Sequence, residues 1–105
     1  YHRLVLGEGA EFRVLLSALS ATETGGTGRH EPMATVGRYG KGRVFHHVLG
    51  HAWKGSSKNG STWYNPPFRR LLARGTEWAA TGKVTLTDVP DDFPTASTTS
   101  ERAFD

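Results

Sequence analysis

Apolar residues along the chain gather in four blocks, Leu4–Leu6, Phe12–Leu19, Met33–Leu49 and Phe68–Ala80, with polar stretches rich in Gly, Ser and Thr between them. Their local periods predict the elements. "EFRVLLSAL" is a dense run of strand length, which predicts a strand near 12–18, buried on both faces. "MATVGRYGKGRVFHHVL" reads as two strands, near 33–38 and 43–49, joined at "YGKG". Gly40 and Gly42 are placed to supply the positive φ of a tight turn, with Lys41 at its tip in water. Between these strands and the first, "SATETGGTGRHEP" has the composition of a mobile polar loop. "YHRLVL" is a short strand or the end of a loop.

The clearest element is a helix over 66–81. Asn65 is a good N-cap, Pro66 suits the first helical position and Gly82 a C-terminal stop. Phe68, Leu71, Leu72, Gly75, Trp78 and Ala79 follow helical spacing, while Arg69, Arg70, Arg74 and Glu77 take the opposite face. "KVTLTDVP" predicts a last short strand, and residues 90–105 have the makeup of a loosely held tail or linker. Strand, hairpin and amphipathic helix together give an α/β layered architecture over residues 1–89. One helix cannot cover both faces of a sheet. The expectation is therefore a core larger than this chain, which would be the C-terminal half of an α/β domain.

Composition narrows the class. The 105 residues are too few for two domains, and 36% are hydrophobic. The net charge of +3 comes from Lys and Arg scattered along the whole chain rather than clustered, which argues against a nucleic-acid surface. Cysteine is absent, which removes disulfides, thiolate metal sites and a cysteine nucleophile. No run of residues is long and apolar enough for a membrane span, and the N-terminus lacks a signal pattern. A cytoplasmic and an exported location both stay open, as does the oligomeric state.

Candidate chemistry lies in "YGKGRVFHHVLGHAW". Its glycines sit between two strands with no helix following, so the segment lacks the strand-to-helix setting of a phosphate loop. His46 and His47 are neighbours on a strand and point to opposite faces, so they cannot share one ion; no metal is assigned. His51 differs, since it follows a glycine just past a buried strand, where open α/β sheets place their ligands. An imidazole there can act as acid, base or hydrogen-bond donor, against the plainer reading of a histidine capping a strand end. Trp53, Trp63 and Tyr64 flank a polar loop, which suits either stacking on a sugar ring or a lid over the core edge. Trp78 is a core residue.

"PMATVGRYGKGRVFHHVLGHAW" followed by "NPPFRRLLARGTEWAATGKV" resembles the C-terminal half of the ThuA-like, or trehalose-utilisation, family from Tyr1 to about Val84. "YHRL" resembles the end of a family segment whose Asp-Glu pair would lie upstream. The resemblance implies a partial flavodoxin-like, class I glutamine amidotransferase-like three-layer domain from a bacterium. It does not imply glutaminase activity, because that chemistry uses a Cys–His–Glu triad. It implies a role in carbohydrate metabolism, with His51 as the candidate catalytic residue and Tyr1 and His2 as candidate ligand contacts. Trp53 and Trp63 would border the saccharide, and Arg43 would serve the hairpin. The resemblance names no cofactor. Three functions stay in play: an enzyme or enzyme subunit acting on a saccharide, a non-catalytic carbohydrate- or protein-binding module, and an inert scaffold.

Overall fold

The computed structural model describes residues 5, 7–8, 11–51, 62–91, 93, 95 and 97–98. Among them are three strands, β1 (Phe12–Leu19), β2 (His30–Tyr39) and β3 (Gly42–His47), and one helix, α1 (Pro66–Thr81). Short 3-10 turns occupy Thr22–Thr24 and Thr62–Tyr64. The fold is a small α/β arrangement, and its contacts divide the chain into two compact units, one ending at Val48 and the other beginning at Leu49.

The first unit is an antiparallel sheet of order β1-β2-β3. Tyr39 opposes Gly42 across a two-residue loop, Gly40–Lys41, and Gly40 takes the positive φ (55°) that such hairpin loops favour. Gly42 already belongs to β3, so only one of the two expected glycines turns the chain. β2 is the central strand and carries the buried positions, with Ala34 fully enclosed and Thr35 nearly so. His46 is exposed and His47 half-buried, its ring 5.5 Å from that of Phe45, as alternation along a strand requires.

Two expectations for this unit are corrected. The segment 20–29 is tied down rather than loose. Ser20 N–H donates to Arg29 O at 2.9 Å, Gly28 N–H to Ser20 O at 2.7 Å, and Thr27 N–H to Ser20 Oγ at 3.1 Å. Thr27 Oγ1 also donates to buried Glu31 at 2.7 Å, which fixes the loop to the start of β2. β1 is not buried on both faces: every residue from Arg13 to Leu19 is exposed. Its pairing with β2 is irregular between Val14 and Ser17, beside Pro32, which has no N–H to give the ladder.

The second unit is built on α1, whose bounds coincide with those predicted. Asn65 Oδ1 accepts from Phe68 N–H at 3.0 Å, and the two prolines that follow have no amide N–H left to satisfy. At the other end Gly82 N–H closes on Trp78 O at 2.8 Å. Pro66, Phe68 and Gly75 are the buried positions of α1.

Residues 83–90 belong to no strand, contrary to the predicted last strand. Their backbone groups are taken by side chains of α1 instead. Arg74 Nε donates to Leu86 O at 2.5 Å and its Nη2 to Thr87 O at 2.9 Å. Glu77 accepts from Thr85 N–H at 2.9 Å, from Leu86 N–H at 3.3 Å and from the Thr85 hydroxyl. Arg70 pairs with Asp88 at 3.0 Å. The charged face of the helix is thus a clamp for the chain that follows it.

Candidate functional site

The loop that leaves β3 is shaped by one glycine. Val48 N–H still donates to Met33 O at 3.0 Å, and then Gly50 turns the chain with φ of 88°. A methyl group on Gly50 would meet Phe68 Cζ at 2.6 Å and Cε2 at 2.9 Å, so the backbone here rests directly on the Phe68 ring. His51 comes next and is exposed. It lies beyond the end of β3 at His47.

Phe68 is held from two sides. Its amide is capped by Asn65, and its ring meets the Trp63 ring edge-on, with centroids 5.2 Å apart and planes at 80°. This is the favourable edge-to-face geometry of aromatic pairs. Phe68 is only 4% exposed, whereas Trp63 keeps 37% of its surface in water. The Thr62–Tyr64 turn that carries Trp63 leads straight into the cap, since Asn65 N–H donates to Thr62 O at 3.1 Å. One buried ring therefore joins the turn before His51 to the half-wet indole of Trp63. The arrangement offers an exposed imidazole next to a rigid glycine turn, with an aromatic surface packed on the same support. Such a loop can present a proton acceptor or donor.

Of the residues singled out from sequence, His51 and Trp63 lie in this unit. Tyr1, His2 and Trp53 lie outside the described residues. Tyr64 is half-buried in the same turn as Trp63. The residue that sequence reasoning missed is Phe68: its helical spacing marked it as core, and no local pattern links it to Gly50. Among the described residues no three His, Asp or Glu side chains gather around one point. No described helix is long and apolar enough to cross a membrane.

A concavity of about 330 Å³ lies between α1 and the clamped segment, lined by Pro66, Arg69, Arg70, Ala73, Leu86 and Pro90. Asp88 beside it titrates below its ordinary range, chiefly because it accepts a hydrogen bond from Arg70. Glu77 is likewise lowered, first by the hydrogen bond from the Thr85 hydroxyl. These groups hold the segment in place and leave the loop beyond β3 to present His51.

No family model and no curated protein matches the chain. Among solved structures, a Parabacteroides merdae protein provisionally named ThuA-like is 47% identical, with a TM-score of 0.74 over 87% of this chain and 32% of that one. The chain thus spans about a third of that protein's length. An α/β chain with a hairpin, a glycine turn and a capped helix is the class the coordinates define. Over the stretch it spans, the chain is similar in sequence and backbone to that protein.

Proposed function

We propose that this chain serves carbohydrate metabolism as part of a ThuA-like protein acting on trehalose or a related saccharide, with the ligand taken at the loop beyond β3. In this reading His51 polarises or deprotonates a hydroxyl or carbonyl of the sugar. Trp63 borders the ring. The chain would then be a portion of a flavodoxin-type, class I glutamine amidotransferase-like domain. The observation that carries the proposal is the contact chain from Gly50 through Phe68 to Trp63, which ties an exposed histidine turn to an exposed indole. The 47% identity to a protein provisionally named ThuA-like supports the reading.

The test is titration of the chain with trehalose, followed by amide chemical shifts and by product formation, in the wild type, His51→Ala and Trp63→Ala. Trp63→Ala is expected to weaken binding, because stacking surface is lost, and His51→Ala to remove turnover while the fold persists. Shifts at Gly50, His51 and Trp63 without turnover in the wild type would instead favour a binding module. Equal binding and equal turnover in all three proteins would overturn the assignment.

A further inference from the structure

We infer that the exposed strand β1 is the surface on which the remainder of a ThuA-like fold packs. The inference goes beyond the saccharide reading and stands whether or not a sugar binds. On this strand Val14 is 50% exposed, Leu15 45%, Leu16 45% and Leu19 59%. Val14 pairs with Thr35 and Leu16 with Ala34, successive residues of β2 that face opposite sides, so the two put apolar surface on both faces. β1 is also an edge of the sheet, with β2 as its one partner among the described residues. A long apolar edge strand left in water is an aggregation hazard that proteins normally cover or charge, and Arg13 is the only charged side chain on this strand.

What covers it follows from its shape. A second copy pairing edge to edge would satisfy the backbone of β1 yet leave both apolar faces wet. A single helix would cover one face. Only material layered on both sides buries Val14, Leu15, Leu16 and Leu19 together, and that is a continuation of the same layered fold. The ThuA-like protein to which this chain is similar has that material to spare, since the chain spans 32% of it. The occupant is therefore the part of the ThuA-like fold that this chain does not span.

The experiment replaces the matching segment of the Parabacteroides merdae protein with this chain's own, giving a full-length chimera, and compares it with this chain alone. Amide hydrogen exchange at Phe12–Leu19 is the first readout, and dye binding to exposed apolar surface the second. β1 amides should exchange at least about tenfold slower in the chimera than in the chain alone, and dye binding should fall. Leu16→Lys and Leu19→Lys, each made in both settings, should lower the melting temperature of the chimera and leave that of the chain alone nearly unchanged. Equal β1 exchange in both proteins would overturn the inference. So would a stable dimer of the chain alone that protects β1, since the occupant would then be a second copy. An insoluble chimera beside a soluble parent would count against it too, because the surface would not fit the rest of that fold.

Discussion

Gly50 rests against the ring of Phe68 so closely that no side chain fits between them: the first carbon added there would lie 2.6 Å from Phe68 Cζ. The same glycine holds φ at 88°, a left-handed backbone that side chains resist. Two independent demands thus fall on one residue next to His51. The position of that histidine depends on Gly50, because any residue that cannot meet both demands must move the loop or the helix.

Gly50→Ala is expected to destabilise the protein by about 2–4 kcal/mol, combining roughly 1–2 kcal/mol for left-handed backbone with the cost of overpacking the ring. Chemical denaturation of the two proteins measures it. A loss under about 0.5 kcal/mol, typical of an unconstrained surface site, would show that the ring moves aside freely.

Asn65→Ala removes the acceptor for Phe68 N–H and is expected to cost about 1 kcal/mol, the usual worth of an N-cap. Asn65→Asp, which keeps an acceptor, should recover most of it. The change also reaches the site, since the capped residue is the one supporting Gly50. Amide shifts at Gly50 and His51 should therefore respond to Asn65→Ala and hardly to Asn65→Asp. No response at residues 50 and 51 would separate the cap from the loop.

The helix was readable to its last residue because both its ends are chemically marked, by Asn65 before it with Pro66 and Pro67 in its first turn, and by Gly82 after it. The hairpin was readable because two glycines between β-branched runs leave few alternatives. β1 was misjudged for a physical reason. A run such as "FRVLLSAL" looks the same whether neighbours cover it or not, and burial depends on what lies beside it. Residues 83–90 misled for another reason. Their alternating Val84 and Leu86 imitate a strand, while the hydrogen bonds that would make one go to Arg74 and Glu77 on α1. The place of His51 beyond β3 and behind a glycine is legible in the sequence itself. Its support could not, because the approach of Phe68 to Gly50 is made only when the chain folds.

The Trp63–Phe68 pair should be a measurable coupling rather than two separate contributions. Trp63→Ala, Phe68→Leu and the double variant form a cycle, and edge-to-face pairs are worth about 0.5–1.5 kcal/mol beyond buried area. Phe68→Leu alone should also reduce the support of Gly50, which touches the ring atoms that leucine lacks. A coupling of zero would mean that Trp63 contributes surface to the solvent side and nothing to the scaffold.

The clamp on residues 85–88 should open in acid, and the sign follows from its carboxylates. Glu77 and Asp88 both titrate below their ordinary values of 4.5 and 3.8, Glu77 mainly through the Thr85 hydroxyl and Asp88 mainly through Arg70. A lowered carboxyl favours the folded arrangement above its ordinary pKa and loses that effect as pH falls through the lowered one. Both groups face solvent, so the loss is local rather than global unfolding. The Thr85 and Leu86 amide signals should accordingly hold steady from neutral pH to about 4.5 and then shift, with a midpoint below that value. Glu77→Gln should abolish the transition at these two amides while leaving that of Asp88. Arg74→Ala should leave the Thr85 midpoint in place but release the carbonyls of Leu86 and Thr87, to which it donates. A Thr85 midpoint at or above 4.5 would mean that the carboxylate gains nothing from its three donors. The segment would then have to be held by the two arginines.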